Sequence, residues 1–313
     1  MNDTRARVLA ALADGSLSGP ELAEKLEISR AAVWKHVEAL REAGFVIESD
    51  GDGYVLTEIP EYGGPAVEFG LDAPYSIEYH ESIDSTNRRA RELAKEGAEN
   101  VVVLADEQTG SRGRLNRDWQ APAGGVWMSL VLRPELPTAH APLLTLAAAV
   151  AVTKVAREAG VEAVIKWPND VLVSTADGEK KLCGILTEMA GEADRVSWVV
   201  VGIGINANLD ADEIPETATS LQLEGETVNR RIVVQRVLEE FTVLAADTDA
   251  ILPAWREYAL TLGQYVRVET ANGDVLGEAV DVEFPGTLVL ETEDGTVRIS
   301  AGECEHLRPV QSR

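Results

Sequence analysis

The chain has 313 residues, of which 28 are Lys or Arg and 53 are Asp or Glu, giving a formal net charge of −25. This length predicts about two domains, and a hydrophobic content of 45% is that of a globular protein with a buried core. The 2 cysteines are too few for a disulfide framework and favour a reducing cytosol. The first residues lack the apolar region of a signal peptide, and no apolar run reaches the ~18 residues that span a bilayer. These features exclude a disulfide-stapled secreted domain and predict a cytoplasmic protein without membrane spans.

The acidity is spread along the whole chain. Net charges are −5 for residues 1–60 (6 basic, 11 acidic), −14 for 61–262 (18 and 32) and −6 for 263–313 (4 and 10). Only 7 of the basic residues are lysines, and aromatic residues make up 5% of the chain. Such uniform, lysine-poor acidity indicates adaptation to high salt rather than an acidic patch for one partner. The charge therefore does not exclude DNA binding, although phosphate contacts need basic surface.

Residues 1–60 have the pattern of a winged helix–turn–helix domain. Ser18 and Ser29 are predicted to cap the second and third helices, and Gly44 ends the third. A hairpin with a glycine-rich tip at residues 50–53 follows. In this motif the third helix enters the major groove of DNA and the wing lies along the backbone. The candidate DNA contacts are Ser29, Arg30, Trp34, Lys35 and Arg41.

The rest of the chain is predicted to form two further domains after a linker rich in Pro and Gly at residues 58–65. Residues 66–262 alternate strands and helices, which predicts one large mixed-sheet domain. Residues 263–313 hold short strands separated by Asn-Gly, Pro-Gly and Asp-Gly turns, which predicts a small SH3-like β-barrel. The predicted fold class is thus multidomain α/β (α+β).

Two segments are candidates for binding polar or anionic groups. Residues 84–87 begin a helix, where backbone N–H groups bind anions, although a plain N-cap explains the same residues. Residues 108–119 place Arg112, Arg114 and Arg117 close together in a glycine-containing loop. Such a loop can wrap a nucleotide phosphate, because the guanidinium forks onto phosphate oxygens. The alternative, a solvated loop, is less expected in a chain biased toward carboxylates.

Two later segments are candidates for contacts with a reacting group. Lys166 ends an apolar strand, where one ammonium can stabilise a transferring carboxylate or phosphate. A solvated lysine is the alternative, and it suits Lys180 better. Gly202 and Gly204 interrupt an apolar strand, which marks the close approach of a ligand or backbone, but they lack the third glycine of a dinucleotide fingerprint. The 4 histidines show no ligand spacing and Cys183 lies in an apolar strand, so neither a zinc site nor a reactive thiol is predicted.

Taken together, these segments resemble the bifunctional biotin–protein ligases that double as biotin-responsive repressors. The resemblance covers essentially the whole chain and keeps the order of its parts. The matching segments are SRAAVWKHVEALREAG (29–44), DSTN (84–87), RGR (112–114), KWPND (166–170), KLCGIL (181–186) and GIGIN (202–206). Lipoate ligases share the fold but lack this set of motifs. The resemblance implies a central class II synthetase-like domain that makes biotinyl-5′-AMP from biotin and ATP with Mg²⁺.

The resemblance also implies partners and site residues. The biotinyl group would pass to a lysine of a biotin carboxyl carrier domain, and the further partners would be a DNA operator and a second copy of the chain. Catalytic roles fall on Lys166, Arg112 and Arg114. The implied biotin contacts are Ser85, Thr86, Asn87, Gln108, Arg112, Gly113, Arg114, Lys166, Gly202 and Gly204. The implied nucleotide contacts are Arg117, Trp119, Asn169 and Asn206, with no metal ligand from the protein.

Two departures from the family pattern bear on function. The loop reads SRGRLNR (111–117) where many relatives are richer in glycine, which affects loop mobility and retention of the adenylate. Asp50 and Asp52 lie at the wing tip, where basic residues would favour phosphate. Two alternatives therefore stay open beside a ligase that is also a repressor. One is a ligase whose winged helix no longer regulates transcription, and the other is a biotin-sensing transcription factor without catalysis.

Overall fold

The computed structural model describes residues 3–49, 51, 53–114, 117, 119–192 and 194–307. The N-terminal elements are α1 (Asp3–Ala13), α2 (Gly19–Leu26), α3 (Arg30–Glu42), β1 (Val46–Ser49) and β2 (Tyr54–Glu58). The predicted caps are confirmed, because the Ser18 hydroxyl accepts from the Glu21 N–H at 3.3 Å and the Ser29 hydroxyl from the Ala32 N–H at 3.2 Å. Gly44, with a φ of 90°, follows α3 as predicted. Three helices and an antiparallel hairpin make the winged-helix arrangement.

Arg41 connects α3 to the wing. Its guanidinium donates to the Ile47 carbonyl oxygen at 2.9 Å and to Ser49 Oγ at 2.9 Å, and it lies 5.9 Å from the centre of the Tyr54 ring. This side chain therefore orients the hairpin against the third helix. The wing-tip residues 50 and 52 lie outside the described residues.

The predicted linker is anchored at both ends. The short helix α4 (Gly64–Glu68) begins at the end of the predicted linker (58–65) and is followed by Phe69, whose ring packs edge-on against that of Phe45 in the N-terminal core, with 6.3 Å between ring centres. On the other side, Glu61 pairs with Arg230 at 2.9 Å. The segment thus contacts the N-terminal helices and the central part of the chain at once.

A mixed sheet with the strand order β3-β4-β5-β9-β8-β7-β6 forms the central part, as predicted. The strands are β3 (Ser76–Ile83), β4 (Val101–Gln108), β5 (Val126–Leu132), β6 (Ala163–Lys166), β7 (Asp170–Thr175), β8 (Gly178–Glu192) and β9 (Arg195–Ile205). The helices are α5 (Thr86–Lys95), α6 (Pro142–Glu158), α7 (Leu221–Glu224), α8 (Arg230–Ala246) and α9 (Thr248–Tyr258). β3 and β4 pair in parallel, and the other neighbours are antiparallel. α5 covers one face of the sheet and α6 covers the other, with α8 and α9 packed on α6.

α6 is the central helix of the core. With the turn before it, it forms the stretch Thr138–Glu158, which is long and apolar enough to cross a membrane and is unique in this among the described residues. Its most apolar window is 72% buried inside the protein. Because the burial is against the sheet and its neighbouring helices, core packing accounts for the apolar composition.

The last part of the chain is an antiparallel sheet with the order β13-β12-β11-β10-β14. Its strands are β10 (Tyr265–Thr270), β11 (Gly273–Glu283), β12 (Thr287–Thr292), β13 (Gly295–Ile299) and β14 (Glu303–His306). Val266, Val268 and Leu288 from this sheet join the central core. Within the part of the chain that is described, β13 and β14 are the two edges and no pairing closes the sheet, so the SH3-like barrel stays a prediction.

Candidate active site

A cleft of about 430 Å³ lies between the central sheet and β14. Residues from all four predicted segments line it, namely those at 84–87, 108–119, 166–170 and 202–206. Every side chain or glycine predicted to contact biotin or the nucleotide is among the lining residues. The tertiary fold thus brings the separate motifs together, while the role of each residue stays a prediction.

Neutral polar side chains that line the cleft form a hydrogen-bonded network with a buried serine behind it. The backbone N–H and the hydroxyl of Thr86 both donate to Gln108 Oε1, at 2.8 and 3.0 Å. The Ser129 hydroxyl lies 2.8 Å from Thr86 Oγ1 and 2.6 Å from Asn87 Oδ1. Ser129 is fully buried and was missed from the sequence, although it is the one polar residue in the apolar strand β5. A single serine within an apolar strand could have indicated a polar network in the sequence, because a buried hydroxyl needs hydrogen-bond partners.

Asn87 is held from both ends of its amide. Besides the Ser129 contact at Oδ1, its Nδ2 donates to Glu188 Oε2 at 3.0 Å. Arg91 in turn donates to Glu188 Oε1 at 3.1 Å. A Cβ at Gly202 would lie 2.0 Å from Asn87 Oδ1. The glycine thus allows close approach, as predicted, but the group that approaches it is a side chain.

Trp119 lies across two other glycines of the cleft. A Cβ at Gly204 would lie 3.2 Å from Trp119 Nε1, and one at Gly184 would lie 3.1 Å from Cζ3 of the same ring. The ring also packs edge-on against the buried Trp127 at 6.4 Å. Gly184 and Gly204, paired across β8 and β9, therefore leave room for this indole.

Two lysines line the cleft. Lys166 ends β6, where the sequence placed it. Lys181 on β8 forms an ion pair with Asp170 at 2.7 Å and lies 5.0 Å above the Trp119 ring. Lys181 begins the KLCGIL segment and is one of two adjacent lysines in the sequence, but its pairing with Asp170 depends on the β7–β8 register and could not be predicted locally.

The two cysteines are buried thiols. Cys183 has no exposed surface, as predicted, and burial raises the pKa of its thiol. Cys304 on β14 lines the cleft, and burial raises its pKa to about 11, an effect that the nearby Lys166 charge partly offsets. A thiol with a raised pKa is a poor nucleophile at neutral pH.

The arginine loop is tied to a strand turn and to the C-terminal sheet. Arg114 donates from Nη1 to Asn169 Oδ1 at 2.8 Å and from Nη2 to the Gly302 carbonyl oxygen at 2.9 Å. Arg117 forms an ion pair with Glu303. The contact with Asn169 spans 55 positions of sequence, and those with Gly302 and Glu303 span 188 and 186, so no local pattern could predict them. Loop positions 115 and 116, where the motif departs from the family, lie outside the described residues.

Asn206 is buried at the end of β9. Its amide Nδ2 donates to the Thr219 carbonyl oxygen at 2.9 Å and to the Lys181 carbonyl oxygen at 3.3 Å. The side chain therefore joins the Lys181 strand to the loop at 207–219, parts of which also line the cleft. The predicted nucleotide contact of Asn206 stays a prediction.

A second candidate interface lies on α3. Four of the predicted DNA contacts are exposed there, and Trp34 stands out with 59% of its surface exposed. The exposed set is Ser29, Arg30, Trp34 and Lys35. Arg41 differs, because its guanidinium donates to Glu38 on the same helix and to Ile47 and Ser49 of the wing. Its DNA contact stays a prediction.

Comparison with known proteins gives matches along the whole chain. Residues 4–55 match an HTH domain, residues 79–206 match the biotin/lipoate A/B protein ligase family, and residues 261–307 match the biotin protein ligase C-terminal domain. The chain is 41% identical to the bifunctional ligase/repressor BirA of Bacillus subtilis over 307 residues, covering 92% of this chain and 93% of that protein. It is 28% identical to the bifunctional ligase/repressor BirA of Escherichia coli, covering 95% of each.

Solved structures agree with this placement. The biotin protein ligase from Aquifex aeolicus, solved in complex with biotin and ATP, superposes with a TM-score of 0.62 at 28% sequence identity. That match covers 74% of this chain and 98% of the Aquifex chain. Together with the near full-length identity to the Bacillus protein, it follows that this chain belongs to the BirA family of bifunctional ligase/repressors, the biotin protein ligases with an N-terminal helix–turn–helix domain.

Proposed function

We propose that this ligase forms biotinyl-5′-AMP in the cleft and transfers the biotinyl group to a lysine of a biotin carboxyl carrier domain. One observation carries the proposal: a single cleft is lined both by neutral, hydrogen-bonded side chains and by cationic side chains. The cations are Lys166, Lys181, Arg112, Arg114 and Arg117. A substrate with a neutral polar ring at one end and a carboxylate at the other matches this pairing. Incubation with ATP, biotin and a carrier domain, read by the mass shift of the carrier, tests it.

The reaction has two steps. A carboxylate oxygen of biotin attacks the α-phosphorus of ATP, the bond from that phosphorus to the bridging oxygen breaks, and pyrophosphate leaves with the electron pair. The ε-amine of the acceptor lysine then attacks the acyl carbon, AMP leaves, and the amine loses a proton. Lys166 and Lys181 offset the charge that builds on the phosphate. Closure of the arginine loop keeps water from the mixed anhydride.

The residues divide between the two substrates. Ser85, Thr86, Asn87 and Gln108 hold the neutral ring of biotin. Gly202 and Gly204 lie beside it and let Asn87 and Trp119 pack close to the strand. Arg112, Gly113 and Arg114 cover the junction between biotin and the phosphate. The nucleotide side is formed by Arg117, Trp119, Asn169 and Asn206. In support, all of these residues line the same cleft.

Mg²⁺ belongs to the proposal as the partner of the triphosphate, whose charge it neutralises. Within the described ranges, no group of three or more His, Cys, Asp or Glu residues could hold a metal ion. Asp170 and Asn169 offer oxygen atoms in the cleft, but Asp170 pairs with Lys181 and Asn169 accepts from Arg114. In nucleotide sites Mg²⁺ usually keeps several water ligands and binds few protein groups.

Arg114→Gly is expected to release the adenylate into solution. The change removes the two hydrogen bonds that tie the loop to Asn169 and Gly302, so the loop no longer closes the cleft. The free mixed anhydride then biotinylates lysines without selection. The measurement is biotin incorporation into serum albumin mixed with the carrier domain. Arg195→Gly, at a surface arginine whose side chain is 70% exposed, is the control. Labelling of the carrier alone by Arg114→Gly would show that this arginine does not retain the adenylate.

The winged helix is proposed to bind an operator through base edges rather than phosphates. The acidic wing tip and high salt both weaken phosphate contacts, while Trp34, Arg30 and Lys35 are exposed on α3. The alternative is a ligase whose winged helix no longer regulates transcription. Selection of duplexes from a random pool in molar KCl, with and without biotin and ATP, separates the two. Failure to enrich any sequence under every condition would favour the alternative.

Trp34→Ala is expected to weaken binding to the selected duplex by about 10-fold or more, the scale of one lost base contact. Binding to unrelated duplexes is expected to stay as in the parent, because an indole makes no ionic contact with phosphate. Mobility shifts in molar KCl measure both. Phe284→Ala, at a C-terminal residue that is 50% exposed, is the control for loss of a surface aromatic. An equal affinity of Trp34→Ala and the parent for the selected duplex would exclude Trp34 from recognition.

Three broader features complete the proposal. The acidity is spread evenly along the chain and lysine is scarce, which supports the proposal that the protein functions in a cytosol of high ionic strength. Family resemblance supports a homodimer, which light scattering with and without biotin and ATP would test. The C-terminal strand order β13-β12-β11-β10-β14 is compatible with an SH3-like barrel closed between β13 and β14.

A further inference from the structure

A chain of hydrogen bonds connects the C-terminal sheet to the strand that ends at Lys166. His306 on β14 places Nδ1 at 3.1 Å from both carboxylate oxygens of Glu179. Its Nε2 lies 3.1 Å from Thr261 Oγ1, which also accepts from the Trp167 N–H at 2.9 Å. Thr261 has no exposed surface, and the His306 side chain is 8% exposed. This series of hydrogen bonds is thus shielded from water along most of its length.

The direction of each hydrogen bond follows from the groups. A carboxylate only accepts, so His306 Nδ1 carries a proton toward Glu179. The Thr261 oxygen accepts from Trp167, which leaves its hydroxyl proton free to point at Nε2. The order of carboxylate, imidazole and hydroxyl is that of a hydrolase triad. Thr261 is nonetheless unsuited to nucleophilic attack, because it is fully buried and already accepts a backbone N–H.

The position of this chain gives it a different task. β6 is an edge strand of the central sheet, so its outer N–H and C=O groups need partners from elsewhere. Leu260 N–H donates to the Ile165 carbonyl oxygen at 2.8 Å, and Thr261 Oγ1 accepts from the next outward-facing group, the Trp167 N–H. That N–H belongs to the peptide group that joins Lys166 to Trp167. At the other end of this series of hydrogen bonds, Glu179 lies two residues before Lys181 on β8.

We propose that His306 and Thr261 are positioning residues for adenylate formation. Through Thr261 the imidazole fixes the peptide after Lys166, and through Glu179 it fixes the start of the strand that carries Lys181. The C-terminal sheet thereby sets the separation of the two ammonium groups that face the phosphate. This inference rests on the roles proposed above for Lys166 and Lys181. The side chains in this series of hydrogen bonds do not line the cleft, so their effect on the reaction is indirect. They are Glu179, Thr261 and His306.

The test compares His306→Ala, Thr261→Val and Thr261→Ser. The first two are expected to lower kcat for pyrophosphate release by about 10- to 100-fold, the cost of misplacing a reacting group by a fraction of an ångström to one ångström. Their Kd for biotin without ATP is expected to match the parent, because the neutral network of the biotin pocket is untouched. Thr261→Ser keeps the oxygen that accepts from Trp167 and is expected to restore kcat.

His80→Ala is the matched control. His80 also bonds a carboxylate, Glu78 at 2.9 Å, but it lies on β3 at the far edge of the sheet. Glu179→Ala, at a carboxylate with 38% of its side chain exposed, provides a variant that the fold tolerates, and it is expected to lower kcat in the same direction. A parent-like kcat for both His306→Ala and Glu179→Ala would overturn the inference. So would a parallel loss of biotin affinity and Tm in His306→Ala. Parent-like adenylation by Lys166→Ala and Lys181→Ala would instead overturn the proposed lysine roles.

Discussion

Removing either lysine of the cleft, by Lys166→Ala or Lys181→Ala, is expected to slow biotinyl-adenylate formation by at least about 100-fold. The phosphate gains charge as the carboxylate attacks it, and a preorganised ammonium stabilises the transition state more than the bound substrates. Both side chains line the cleft. Lys181 also neutralises Asp170 at 2.7 Å, so its loss leaves a carboxylate unpaired where the phosphates would lie.

The rate is measured as pyrophosphate release at saturating biotin and ATP. Lys180→Ala is the control, because Lys180 is next to Lys181 on β8 and is not among the residues that line the cleft. A parent-like rate for Lys166→Ala alone would leave Lys181 as the phosphate contact. Parent-like rates for both variants would contradict adenylation at this site.

Gly202→Ala is expected to weaken biotin binding by about 2 to 3 kcal/mol, or roughly 100-fold in Kd, the scale of two lost hydrogen bonds. The new Cβ would lie 2.0 Å from Asn87 Oδ1, so the amide has to move. Asn87 is held by Ser129 at 2.6 Å and by Glu188 at 3.0 Å, and any movement breaks both contacts.

Calorimetric titration of the protein with biotin, in the absence of ATP, measures this loss of affinity. Gly204→Ala is the matched control, because its Cβ would lie 3.2 Å from Trp119 Nε1 and a small shift of the ring relieves the contact. We therefore expect a much smaller loss of biotin affinity for Gly204→Ala than for Gly202→Ala. Equal losses, or parent-like biotin binding by Gly202→Ala, would show that the Asn87 network does not form the biotin pocket.

The N-terminal part shows how far local pattern reaches. Ser18 and Ser29 cap their helices as predicted, because a cap depends on a side chain and an N–H three residues apart. The place of Arg41 on the third helix of a winged-helix motif predicted a DNA contact, which stays a prediction. The structure adds that its guanidinium reaches back to Ile47 and Ser49. An arginine side chain is long enough either to extend into solvent or to bond a neighbouring strand. Which of these occurs depends on the position of the folded hairpin.

The cleft shows the same division at longer range. Its glycines, its arginine loop and Lys166 stand out in the sequence, because glycine inside a strand and cations in an acidic chain are locally unusual. Ser129 and Lys181 became part of the site through strand register, which places Ser129 opposite Gly202 and brings Lys181 beside Asp170. Register depends on partners that are distant in sequence.

From the sequence alone came the mixed-sheet and winged-helix fold class, the helix caps and the motifs that line the cleft, since each depends on residue type and short spacing. The tertiary structure was needed for the Asn87 network, the lysine–carboxylate pair, the tie from Arg114 to Gly302 and the chain from His306 to Trp167. Each of these joins groups that are distant in sequence and belong to different helices, strands or loops. Such contacts arise when buried polar groups on packed elements satisfy one another, and that pairing is set by the packing rather than by neighbours in the chain.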